Sequence, residues 1–157
     1  NLGDWSSDVC SSDLFNEIYD KCTVSILDLN INFFDIRSTK ELQFGFNTTL
    51  KNGKSLAFFG DEPYNEELFE YANNVDYLFH EAFCLYSQKD IFKPYEKHHA
   101  TVKDACENAS KLNVKNIVLF HTEDKNILNR RKLYTDEGKQ FFAGNIIVPD
   151  DLDVINL

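Results

Sequence analysis

Three short apolar runs, residues 55–59, 75–79 and 116–120, each stop abruptly at a polar rim residue: Gly60-Asp61 after the first, His80-Glu81 after the second, His121 after the third. Stretches with helical spacing separate them. Apolar strands alternating with helices are the mark of a parallel sheet, whose strands all end on one rim where side chains can converge. All four histidines (His80, His98, His99 and His121) fall between positions 80 and 121. That clustering points to a metal site assembled at the strand ends.

The rest of the chain supports the same class. Residues 23–36 are rich in β-branched and aromatic side chains and read as two short strands or one bent one. Strands over 44–50 and 55–59 follow, joined by a turn containing Asn52-Gly53, a strong hairpin signal. A helix is expected from Tyr64-Asn65 to Asn73, with Leu68, Phe69 and Ala72 on one face and Glu66, Glu67 and Glu70 favouring its amino-terminal half. Residues 83–97 read as a loop. Thr101 and Asp104 then form a capping-box start for a helix bearing Val102, Ala105, Cys106, Ala109 and Leu112 at core spacing. A helix over 127–142, weakened by Gly138, precedes a strand at 146–148 and a last short one at Val154-Ile155. The fold class is α/β: a mixed sheet covered by helices, half of an αββα sandwich or part of a doubly wound sheet.

Composition narrows the partners. A net charge of −10 and a pI near 4.8 oppose non-specific attraction to a phosphate backbone but leave room for a local basic patch. Four cysteines, at 10, 22, 84 and 106, show no CxxC spacing. The three outside the first fourteen residues read as reduced, buried thiols, and no apolar run reaches membrane-span length, so a cytoplasmic protein without membrane contact is expected. Residues 4–14 match the direct translation of a common sequencing adapter. Residues 1–14 are read as an extraneous segment, with residues 15–157 forming the domain.

Taken alone, Gly60-Asp61 is also an ordinary turn, and His121 an ordinary strand-end histidine. The ordered set Gly60-Asp61, His80-Glu81-Ala82, His98-His99-Ala100-Thr101, Val118-Leu119-Phe120-His121 and Ile147-Val148-Pro149-Asp150 resembles the carboxyl-terminal half of the metallo-β-lactamase superfamily, in its ribonuclease Z-like branch. The resemblance implies Asp61 as a bridging metal ligand and His121 as a terminal one. It makes His99 the catalytic group that contacts the scissile phosphate and protonates the leaving oxygen. His98 replaces a family glycine and is expected at the surface, Glu81 is expected to hold loops by hydrogen bonds, and His80 to be structural. Two Zn2+ ions, or Mn2+ or another divalent metal, a phosphodiester substrate such as RNA, and a homodimer of the complete protein follow from the same likeness.

Departures bound the reading. The superfamily motif His-x-His-x-Asp-His is absent, as is the further histidine expected before the Gly-Asp strand. The chain alone is therefore expected to be an inactive, truncated hydrolase exposing the sheet face meant for its missing half. No Gly/Pro-rich arm precedes Gly60, and Thr122-Glu123-Asp124-Lys125 stands where the family has a Ser and an Arg-Tyr pair, which favours a smaller substrate over tRNA 3′ processing. The alternative is a non-catalytic α/β protein-interaction module.

Overall fold

The computed structural model describes residues 17–157, so the adapter-like segment and Cys10 lie outside it. Seven strands form one sheet in sequence order: β1 (Thr23–Ile26), β2 (Leu29–Asp35), β3 (Phe44–Thr49), β4 (Ser55–Phe58), β5 (Tyr77–Glu81), β6 (Asn116–Phe120) and β7 (Asn145–Ile147). The first four run antiparallel and the last four parallel. An antiparallel pair can be joined by a tight turn: Leu27 and Asp28, both at positive φ, are all that separates β1 from β2.

Parallel pairs need crossovers, and crossovers are right-handed. Because β4 to β7 are added in one direction, that handedness delivers the connecting helices to a single face. The elements are α1 (Phe69–Ala72), α2 (Lys89–Phe92), α3 (Val102–Lys111) and α4 (Arg130–Gly138). Phe34, Leu78, Ile117 and Leu119 of the sheet pack with Leu68, Ala72, Val102, Ala105, Cys106, Ala109 and Tyr134 into one buried core. The expected capping box is present, with the Thr101 and Asp104 side chains bonding each other's main-chain N–H.

Several boundaries differ from expectation. The first helix is a 3-10 turn, Glu66–Leu68, running into four α-helical residues, and the 83–97 loop contains short helical turns. The second apolar run forms a strand two residues further on, so His80 and Glu81 lie inside β5. Helix α4 occupies only the middle of the expected 127–142 span. Gly138 there answers a close approach: a Cβ would sit 2.7 Å from Ile146 Cδ1 and 2.9 Å from Cys106 Sγ. Val154-Ile155 joins no strand.

The opposite face of the sheet is different in kind. Phe33, Phe46, Phe58, Phe79, Val118 and Ile147 are successive register partners, one apolar row across six strands. Ring centroids are 6.1 Å apart for Phe33 and Phe46, 5.2 Å for Phe46 and Phe58, and 6.3 Å for Phe58 and Phe79, while Phe120 stacks on Phe58 at 5.1 Å. All five phenylalanines are only half-buried, and none joins the core.

Candidate active site

Strand alternation divides the chemistry of β5. Successive side chains point to opposite faces, so His80 enters the helix-covered core while Glu81 emerges on the other side at the rim. His80 is fully buried; its Nδ1–H donates to the Glu81 main-chain carbonyl at 2.7 Å, leaving Nε2 to accept from Asn108 Nδ2 at 3.3 Å. Burial pushes its pKa down to about 4, so it is neutral and structural, as expected.

Glu81 is equally buried and binds the start of the α3 segment twice. Its Oε1 accepts the Ala100 N–H at 2.7 Å, and its Oε2 lies 2.8 Å from His99 Nδ1. Both carboxylate oxygens are thus engaged, which is the loop-holding role read from the sequence. Burial raises the Glu81 pKa to about 8; burial and then the neighbouring His121 lower that of His99. Burial thus favours the neutral form of each partner, and the bond between Oε2 and Nδ1 joins them.

His99 and His121 meet with ring centroids 4.9 Å apart and their planes tilted by 31°, although they lie 22 positions apart in sequence. Phe83 stacks on His99 at 5.0 Å and lies 6.3 Å from His121. The backbone supplies the placement: His121 turns off the end of β6 at φ 53°, and Gly60 turns off the end of β4 at φ 70°. His98 adopts φ 57° and ψ 50°, a conformation in which glycine is unstrained, and it is exposed as expected.

Donor atoms of Glu81, His99 and His121 lie within 4.8 Å of one another, a grouping that fits a divalent cation in donor chemistry. With Glu81 committed to hydrogen bonds, the two imidazoles are its free members. Asp61, half-buried after β4, stands outside that group, but its negative charge raises the pKa of both Glu81 and His99. Glu62, which sequence reading passed over, does the same; it is buried, accepts from Ser38 Oγ at 2.8 Å and lies 3.7 Å from Lys40 Nζ. Only its adjacency to Asp61 hinted at it. Asp150 is tied to Arg130 Nη2 and Arg131 Nη2, each at 2.9 Å. A cleft of about 710 Å³ opens beside His121, lined by Thr122, Arg130, Pro149 and Asp150 among others.

No family model matches the chain. Among characterised sequences it is similar to ribonuclease Z of Thermococcus sibiricus, 31% identical over 107 residues, and of Picrophilus torridus, 34% identical over 105. These matches cover 68% and 66% of this chain but 33% and 32% of the relatives, so the matched region spans about a third of their length. Among solved structures, the metallo-β-lactamase fold protein YhfI from Bacillus subtilis superposes with a TM-score of 0.70 at 14% identity, covering 85% of this chain and 52% of that one. The short form of human tRNase Z gives 0.60 at 21% identity, covering 82% and 43%. The chain thus has the metallo-β-lactamase fold, and its sequence is similar to ribonuclease Z over the matched third of those proteins.

Proposed function

We propose that the chain is the carboxyl-terminal half of a zinc-dependent phosphodiesterase that acts on RNA in the cytoplasm, inactive until a second lobe, and in the complete protein a second protomer, complements it. The observation that carries this reading is the Glu81–His99–His121 convergence on the carboxyl rim of the parallel strands. The half-exposed aromatic row supports a second sheet as the missing cover, since large apolar patches rimmed by polar residues mark interaction surfaces.

The residues divide the work. Asp61 and His121 would hold metal, which when bound lowers the pKa of a water and neutralises phosphodiester charge. Glu81 fixes the ring of His99 through Nδ1, leaving Nε2 as the nitrogen that can give a proton to the leaving oxygen. General acid catalysis of this kind contributes roughly 10²–10⁴-fold. Glu81 touches no substrate atom; it is a positioning residue.

Two protein ligands fall short of the three typical of a catalytic zinc. Calorimetric titration of the purified chain with Zn2+ should therefore give weak or sub-stoichiometric uptake, and co-expression with a lobe bearing His-x-His-x-Asp-His should restore tight binding and phosphodiester hydrolysis. Tight binding of two ions by the chain alone, or no hydrolysis after complementation, refutes the proposal.

A further inference from the structure

Lysines on this acidic chain are mostly neutralised where they stand. Lys93 pairs with Glu96 at 3.1 Å, Lys103 with Glu107 at 3.8 Å, and Lys40 with Glu62 at 3.7 Å. Lys97 and Lys125 are among six lysines that form no ion pair among the described residues; Lys54 and Lys89 are likewise seated on aromatic rings, but the rings under Lys97 and Lys125 are the ones that pack together next to His99. Lys97 Nζ lies 5.3 Å from the Phe83 centroid and Lys125 Nζ 5.2 Å from that of Phe92. The two rings pack edge to face at 6.2 Å, and Phe83 is the ring stacked on His99.

The nearby carboxylates do not cancel these charges. Glu96 is taken up by Lys93, and Glu123 is buried, accepting from the main-chain N–H of Lys125 and from Asn126 Nδ2. Asp124 is exposed and makes no ion pair with its neighbour Lys125. Cation–π seating holds an ammonium in place while leaving its N–H donors free for an anion. Phe83 and Phe92 form a paired aromatic platform abutting the catalytic histidine, and each of its two rings carries one such cation.

We propose that Lys97 and Lys125 form a clamp for phosphates flanking the scissile one, so that the site takes a single-stranded polynucleotide and not an isolated phosphodiester. The assignment rests on the hydrolytic reading above for what is scissile, but the clamp itself is a binding site and is testable without catalysis.

The experiment is fluorescence anisotropy of a labelled ten-nucleotide single-stranded RNA with the full chain in EDTA, over a range of salt. Lys97→Gln and Lys125→Gln should each weaken binding roughly fivefold and lower the slope of log affinity against log salt by about 0.7, the value for one phosphate contact on a single strand. Lys97→Arg and Lys125→Arg should retain both, and Lys51→Gln on the distant β3–β4 turn should change neither. Failure of the unaltered chain to bind, equal binding by the double Gln variant, or weakened binding with an unchanged salt slope overturns the clamp. Binding that behaves as expected while a complemented enzyme hydrolyses nothing sinks the hydrolytic reading alone.

Discussion

The two faces of the sheet were built to different ends. On one, Phe34, Leu78, Ile117 and Leu119 are completely buried under helices that the chain itself supplies. On the other, Phe33, Phe46, Phe58 and Phe79 follow the same alternation and the same register, yet remain half-exposed. Strand period alone distinguishes neither, since each demands an apolar residue at every second position. What differs is whether helices among the described residues cover it. A helix-covered face contributes to the stability of this chain; a half-exposed apolar face offers surface to a partner.

Substitution should separate them most sharply. Phe34→Ala removes a wholly buried ring and should cost about 3–5 kcal/mol in urea unfolding, whereas Phe46→Ala should cost about 1 kcal/mol or less and reduce binding of an apolar dye. Equal losses at both positions would mean that the aromatic face is already covered.

Catalysis offers the next test. In the complemented enzyme, Glu81→Gln should lower kcat roughly 10²-fold with KM little changed, because an amide N–H facing His99 Nδ1 opposes the doubly protonated ring that gives up a proton at Nε2. A change confined to KM would assign Glu81 to substrate binding.

Acid should unfold the chain through its covered face. His80 titrates near 6.5 when unfolded and at about 4 when folded, so its neutral form favours the fold. Its contribution is complete above pH 6.5 and is lost as pH falls towards 4, an effect of about 3 kcal/mol. Glu81, raised to about 8, acts with the opposite sign, losing its contribution as pH rises from 4.5. The difference between the unaltered chain and His80→Leu, followed by urea unfolding at each pH, isolates the histidine. A constant difference would place its titration elsewhere. The smallest expected effect is Thr101→Ala, which breaks the α3 capping box for about 1 kcal/mol and should move the thermal midpoint by a few degrees.

Sequence made some of these features plain and hid others for physical reasons. Strand β6 was legible to the residue because an unbroken apolar run ends in His121, and α3 because Thr101, Asp104 and its core spacing agree. Strand β5 was misplaced by two positions since polarity marks His80-Glu81 as an end, while tertiary partners for both side chains let the strand continue. The bond between Glu81 and His99 was foreseeable only in kind: loop-holding, without its partner. The seating of Lys97 on Phe83 and Lys125 on Phe92 had no local signal, for these pairs are brought together by the fold over 14 and 33 residues.

Two of the rim histidines sit on backbone that a side chain makes uncomfortable. His98 and His121 both adopt left-handed conformations, at φ 57° and 53°, where a non-glycine residue is strained by about 1 kcal/mol or more. Selection of random variants for heat tolerance alone should therefore drift towards glycine at both sites. At position 98 the exchange would go unnoticed; at 121 it would yield a sturdier molecule with an emptied rim, so robustness and competence pull this position in contrary directions.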